Sequence, residues 1–209
     1  MNHPPLAPGA ADALLFDLGR VVLDLDFNRT LHVWARHAAC EPAQLASRFL
    51  RDESYHRHER GKISDEAYFA GLRSSLGVEL SDQQFIEGWN AIFIGEMPDI
   101  SHLLTRAARR LPIYAFSNTN AAHVAYFSSQ FAEVLKPFRK VFLSSTIGLR
   151  KPDAEAYDHV VHAIGVPADR IVFFDDLAEN IEGARECGLK AVLVTSPGDV
   201  AKALDALGI

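Results

Sequence analysis

Apolar residues along this chain follow two rhythms. Short unbroken runs at Ala13–Phe16, Ile113–Phe116, Val141–Leu143, Ile171–Phe174 and Ala191–Val194 read as strands buried on both faces, as in a parallel sheet. Between the later runs, Asp99–Arg110, Asn120–Pro137, Asp153–Gly165 and Ala178–Gly188 carry apolar residues at three- and four-residue spacing. Several of these segments open on Asp or Asn and close at Gly or Pro, which predicts helices. Strand–helix alternation of this kind predicts an α/β fold with a doubly wound, mainly parallel sheet, whose ligands bind beyond the carboxyl ends of the strands.

From Phe27 to Pro98 the rhythm changes to helix throughout, with no strand-like run. Leu31, Val33 and Trp34 mark a first helix, and Leu45, Phe49 and Leu50 a second. Ser64-Asp65-Glu66 opens a third, and Ser81 with Gln84 forms a capping box ahead of Phe85, Trp89, Ile92 and Phe93, read as the core of this module. The expected organisation is a flexible tail over 1–12, an α/β core over 13–26 and 99–209, and an inserted all-helical cap over 27–98. Because the chain leaves and re-enters the core beside Asp17, the cap is placed to cover that residue.

Length and composition narrow the classes. The 209 residues, 48% hydrophobic, are enough for one or two domains. A balance of 27 acidic against 21 basic residues, net charge -6, repels a nucleic-acid backbone. Cys40 and Cys187 stand alone, without the spacing of a metal knuckle or a disulfide scaffold, which fits a reducing, cytoplasmic setting. No stretch approaches a membrane span, and the first residues lack a signal-peptide pattern. The expected partner is a small molecule and not nucleic acid or membrane, and the expected state a monomer, with a dimer left open.

Polar residues cluster at the strand ends: Asp17; Ser117-Asn118-Thr119-Asn120; Lys151-Pro152; and Asp175-Asp176 with Asn180. These are the residue types that phosphoryl transfer through an aspartyl-phosphate uses. Asp17 is the candidate nucleophile, and Ser117 with the Asn118 N–H the candidate phosphate-binding pair. Lys151 would neutralise charge on the phosphoryl oxygens and restrain Asp17. Asp17, the Gly19 carbonyl, Asp175 and Asp176 form an oxygen set for Mg²⁺, with Asn180 orienting the acidic pair from behind. Taken singly, Asp17 reads as a turn cap, Asp175-Asp176 as a helix N-cap pair, and Lys151 as a loop charge. Their co-occurrence in this order favours the site.

Phe16-Asp17-Leu18-Gly19, Ser117-Asn118-Thr119-Asn120, Gly148-Leu149-Arg150-Lys151-Pro152 and Phe174-Asp175-Asp176 with Asn180-Ile181-Glu182-Gly183-Ala184 resemble the four ordered motifs of the haloacid dehalogenase-like hydrolases. The helical insert resembles that superfamily's α-helical cap. Leu25-Asp26-Phe27-Asn28-Arg29, His58-Glu59-Arg60-Gly61 and Gly88-Trp89 are similar to the bacterial α-D-glucose-1-phosphate phosphatases. The resemblance implies a Mg²⁺-dependent sugar-phosphate phosphatase. It also exposes two departures: Gly19 stands where many members carry a second aspartate as general acid, and Arg20 where the superfamily usually has Gly.

Without an acid at position 19, the chemistry favours a leaving group that is already acidic, such as the anomeric oxygen of a sugar 1-phosphate. Arg20 either reaches the phosphate or the leaving group, or extends to the surface. In the cap, His58, Glu59 and Arg60 either contact the sugar or form a solvated turn, and a substitute proton donor is to be sought among them. His123 reads as a helix-face residue. The alternatives are a metal-independent 2-haloacid dehalogenase using the same aspartate and a catalytically silent phospho-ligand binder. The Asp175-Asp176 pair speaks against the first and the intact polar set against the second.

Overall fold

The computed structural model describes residues 6–209, and the first five residues of the expected flexible tail lie outside the described residues. The remainder of that tail is packed: Leu6 and Ala10 rest on the core, Ala11 is buried, and Asp12 is held by a two-pronged pair with Arg170 at 2.7 and 2.9 Å. Apolar side chains and a charged clamp near the start of the first strand account for this order.

In chain order, β1 (Ala13–Phe16) and β2 (Leu23–Leu25) are followed by α1 (Phe27–Ala38), α2 (Pro42–Ala46), α3 (Glu53–Glu59), α4 (Asp65–Leu76), α5 (Asp82–Asn90) and β3 (Phe93–Glu96). Then come α6 (Ile100–Ala108), β4 (Ile113–Ser117), α7 (Ala121–Gln130), α8 (Ala132–Leu135), β5 (Lys140–Leu143), α9 (Ser144–Ile147) and α10 (Ala154–Ile164). The chain ends with β6 (Ile171–Asp175), α11 (Ala178–Glu186), β7 (Lys190–Leu193) and α12 (Pro197–Ala206). The main sheet is parallel, in the order β5-β4-β1-β6-β7.

Strand periodicity explains the layers. On β1, Leu14 and Phe16 join one apolar cluster while Ala13 and Leu15 join another on the opposite face, and β6 divides in the same way. Each central strand therefore needs apolar residues at every position, the unbroken runs seen in the sequence. Phe16 stacks on Phe174 at 4.6 Å across the β1–β6 pair. After β1 the chain builds β4 and β5 on one side and crosses through α10 to β6 and β7 on the other. The switch point thus falls at the carboxyl end of β1, where Asp17 stands.

The cap differs from the expected all-helical insert in one respect. Phe93–Glu96 forms a strand that pairs antiparallel with β2, so both crossings between core and cap run through one two-stranded ribbon. Phe93 accordingly packs in the α/β core, against Phe127 and Phe131, and not in the cap core. Two further expectations are corrected. The helix expected over 120–137 breaks at Phe131, whose ring turns into that same cluster, and α2 ends at Ala46, leaving Leu50 beyond it 67% exposed.

The cap has its own core. Trp34 is fully buried, stacks on Trp89 at 5.4 Å and donates its indole N–H to the Phe85 carbonyl at 3.1 Å. The Ser81–Gln84 capping box starts α5 as expected, and Ser64 caps α4. Gly88 passes flush against this indole, so a methyl group there would collide with the Trp34 ring. Gly88→Ala is therefore expected to destabilise the protein by about 1–3 kcal/mol through overpacking, read as a lower urea midpoint at unchanged slope. An unshifted midpoint would mean that Trp34 can move without cost.

Candidate active site

Asp17, Ser117 and Asp175 stand at the carboxyl ends of the adjacent strands β1, β4 and β6, and the backbone N–H of Asp17 still donates to the Phe174 carbonyl at 2.8 Å. Sheet register therefore fixes their spacing before any side chain acts. The Lys151 side chain, 1% exposed, reaches between them. Its ammonium donates to Asp17 Oδ1 at 2.7 Å, to Asp175 Oδ2 at 2.6 Å and to the Phe116 carbonyl at 2.9 Å, using all three of its donors. Asn118 grips the backbone of Lys151 from both sides: its amide nitrogen donates to the Lys151 carbonyl and its oxygen accepts from the Lys151 N–H, both at 2.9 Å. The lysine is thus positioned by the segment that follows β4.

On the other flank, Asn180 donates to Asp175 Oδ1 at 2.9 Å and the Leu177 N–H donates to the same oxygen at 2.9 Å. Carboxylate oxygens of Asp17, Asp175 and Asp176 lie within 4.8 Å of one another. Burial pushes the Asp17 carboxyl up to about 7; Lys151 pulls it down, while Asp175 and Asp176 add to the rise. Burial, and then the charge of Asp175, likewise raises Asp176. Burial alone would lower Lys151, yet Asp17 and Asp175 hold it above its usual range. Three carboxylates against one buried ammonium leave an excess of negative charge, and a donor set made wholly of oxygen suits a hard divalent cation.

This cluster forms the floor of a cleft of about 450 Å³ roofed by the cap. Ser117, Asn118, Gly19, Arg20 and Asn180 line it with Asp17, Lys151 and Asp176. A Cβ built on Gly19 would sit 3.6 Å from Asp17 Oδ2 and 2.9 Å from the Leu25 side chain, so Leu25 occupies the space that a larger residue at position 19 would enter. Arg20 adopts a left-handed backbone, φ 58°, a conformation that glycine takes without strain. Its exposed side chain approaches Asp176 at 3.6 Å, on the rim of the cleft.

The cap residues separate by their place on α3. His58 turns inward: it is 2% exposed, pairs with Asp65 at 2.6 Å and stacks on Tyr68 at 4.2 Å, a cap-core role that fits neither the solvated turn nor the sugar contact expected of it. Arg60 also leaves the cleft, pairing with Asp153 at 2.7 Å. Glu59 does face the cleft, with its carboxylate 2.9 Å from Arg150 Nε and its backbone carbonyl accepting from the Ser144 hydroxyl at 2.7 Å. These contacts latch the end of α3 onto the loop that carries Lys151. Two residues beyond Glu59, Gly61 has φ 63° and passes so near the Ser145 carbonyl that a Cβ would collide with it.

Arg51, Tyr55 and His56 complete the cap wall and were not singled out by the sequence. The available signal was helical: Tyr55 and Glu59 are four apart and share a face, whereas His58 lies off it. Burial, and then the charge of Glu59, raises the Tyr55 phenol, which keeps its proton at neutral pH.

His123 links core to cap. Its Nε2–H donates to the Trp89 carbonyl at 3.0 Å, its Nδ1 faces the Asn120 amide nitrogen at 3.2 Å, and burial lowers it to about 4. An unfolded chain binds this proton below about pH 6.5, whereas the native state resists it until about 4, so stability falls as pH drops through that window. The contribution reaches up to about 3 kcal/mol. Urea midpoints at pH 7 and 4.5 should therefore fall further in the parent than in His123→Gln, and equal falls would show that His123 does not carry the effect.

Among the described residues no helix is long and apolar enough to cross a membrane. A family model described as haloacid dehalogenase-like hydrolase matches residues 11–188. A D-ribitol-5-phosphate phosphatase from Bacteroides thetaiotaomicron is 23% identical over 183 residues, covering 85% of this chain and 88% of that protein. An enolase-phosphatase from Stenotrophomonas maltophilia is 38% identical over 137 residues, covering 65% of this chain and 58% of that protein. The chain spans from 31% to 88% of the lengths of these and other curated relatives. Among solved structures, an enzyme of the same family from Bacteroides thetaiotaomicron, in complex with magnesium and inorganic phosphate, is similar in fold with a TM-score of 0.78. At 24% identity that match covers 89% of this chain and 95% of the other.

Proposed function

The chain belongs to the haloacid dehalogenase-like hydrolases, and from that premise we propose that it is a Mg²⁺-dependent phosphomonoesterase acting on a small sugar phosphate, with a sugar 1-phosphate as the best substrate. One observation carries the reading: Asp17, Ser117, Lys151 and Asp176 meet in one cleft at adjacent strand ends, with Asp175 buried directly behind them and bonded to Lys151. The magnesium and phosphate bound by the structural neighbour and the phosphomonoester named for the ribitol-phosphate relative support it.

Asp17, Asp175 and Asp176, with the Gly19 carbonyl, would hold the cation. Bound there, Mg²⁺ supplies positive charge that lets an anionic nucleophile meet an anionic phosphate. The Asp17 carboxylate forms the new P–O bond as the bond to the leaving oxygen breaks, and water then cleaves the aspartyl-phosphate to return phosphate and free Asp17. Ser117 and the Asn118 N–H bind equatorial oxygens. Lys151 keeps Asp17 in place, and its positive charge stabilises the transferring group.

The leaving group has no carboxylic acid beside it at position 19, and the Glu59 carboxylate is committed to Arg150. The site therefore suits an anomeric leaving oxygen, which needs little proton assistance. The test is phosphate release from a panel of phosphomonoesters with Mg²⁺, against EDTA controls and 2-haloacids. Sugar 1-phosphates are expected to lead the panel and EDTA to abolish turnover, whereas metal-independent halide release would sink the proposal.

A further inference from the structure

Two neighbouring cap residues grip the chain on either side of Lys151. Glu59 holds Arg150, the residue before it, with a carboxylate 2.9 Å from Nε, and Arg60 holds Asp153, two residues after it, at 2.7 Å. The charges run in opposite senses: the cap offers an anion and then a cation, and the loop answers with a cation and then an anion. Between the two grips the loop is closed on itself, since the Asp153 N–H donates to the Arg150 carbonyl at 3.0 Å. Lys151 thus sits in a turn whose two ends are both tied to the cap.

A third tie reaches the phosphate-binding segment. The buried Ser144 hydroxyl donates to the Glu59 carbonyl at 2.7 Å and accepts from the Thr119 N–H at 2.8 Å, one residue past Asn118. Asn118 in turn bonds the Lys151 N–H and carbonyl. Glu59 therefore meets both segments that hold the lysine, one through its side chain and the other through its main chain. Its ion pair with Arg150 is only 7% exposed on one side and 14% on the other, so water screens it less than a surface pair. The ammonium that this frame carries bonds Asp17, Asp175 and the Phe116 carbonyl at once, and a shift of the Lys151 backbone disturbs all three. Misplacement by about 1 Å at such a centre costs about 10²-fold in rate.

We propose that Glu59 and Arg60 are positioning residues of the hydrolysis: by clasping Arg150 and Asp153 they set Lys151 against Asp17 and the transferring phosphoryl group. They act on every ester alike and do not read the sugar. The inference rests on the phosphatase reading above and adds to it a part for the cap that is independent of the leaving group.

The test measures kcat and KM on two phosphomonoesters with different leaving groups, well below the melting temperature so that loss of folded protein does not enter. The variants are Glu59→Gln, Arg60→Asp, Asp153→Arg and the swapped pair Arg60→Asp with Asp153→Arg. Glu59→Gln keeps the shape and the carbonyl bond to Ser144 and removes only the charge. It is expected to lower kcat by about 10- to 100-fold, by the same factor on both esters, with KM little changed. Each single substitution in the outer pair should lower kcat by about 3- to 10-fold, and the swap should recover most of that loss. A loss confined to one ester, or carried by KM, would show these residues reading the substrate and overturns the proposal. Unchanged kcat in variants that melt lower, the mark of a purely structural role, overturns it too, as does a swapped pair no faster than its single variants. A parent silent on every phosphomonoester would overturn the phosphatase reading itself and the inference with it, an outcome distinct from these.

Discussion

Asp17→Asn is expected to lower kcat by about 10⁴-fold or more while leaving the fold intact. The amide keeps the shape of the side chain and an oxygen that can accept from Lys151, but it cannot form the acyl phosphate. Its effect on stability should run opposite to its effect on rate. Burial raises the native Asp17 carboxyl to about 7, well above its unfolded value of 3.8, so the native state binds the extra proton between those limits. Native stability therefore falls as pH rises from about 4 to about 7 and levels off above. Asparagine carries no such penalty, and in EDTA its stability advantage over the parent should grow across the same interval. Urea midpoints for both proteins at pH 4.5, 6 and 8 check this; an advantage that shrank with pH would show that the carboxylate is stabilised in the fold.

Lys151→Met should damage both properties. The ammonium is the shared partner of Asp17 and Asp175, and it is nearly inaccessible to solvent. Its removal leaves two buried carboxylates facing each other, and breaking a buried pair by deleting one side costs about 3–5 kcal/mol. Loss of its charge at the transferring group should lower kcat by about 10²–10³-fold in addition. Mg²⁺ should restore part of the stability, since a cation on the same carboxylates does part of the work of the lysine, but little of the rate. Thermal melts with and without Mg²⁺ beside initial rates separate the two effects. A variant that melts like the parent in EDTA would contradict the pairing seen here.

What could be read from the chain alone follows the range of the interactions involved. β1 and β6 were visible because strands buried on both faces must be apolar throughout, and Asp17 and Asp175 announced themselves as charges ending such runs. Ser64 and Ser81 were visible because a helix cap is a local bond. Phe93–Glu96 was not, because it is a strand only by virtue of Leu23–Leu25, and its Phe extends the helical pattern of the segment before it. Nor was the split between His58 and Glu59, since adjacent residues on a short helix face apart and only the docked cap shows which side meets the cleft. A small cavity behind the cap wall was hidden for the same reason: Thr30, Phe49 and Trp89, which line it, share no local pattern and meet only once α1, α5 and the segment after α2 have packed. The last helix, α12, was overlooked although Asp199 caps its start through bonds to Thr195 and Ser196, a local signal within reach of sequence reading.

The ribbon that joins cap and core has an architectural consequence. Asp24 lies opposite Gly95, and Asp26 is bonded to the Ile92 carbonyl at 2.9 Å, so the two ends of the insertion are neighbours in space although the whole cap separates them in the chain. A module whose ends meet can be exchanged without moving its host. The core keeps Asp17 and Asp175 at its strand ends, while the cap residues that line the cleft, Arg51, Tyr55, His56 and Glu59, travel together on the removable piece. Transplanting that piece onto a related core should therefore carry the choice of substrate with it and leave the reaction behind.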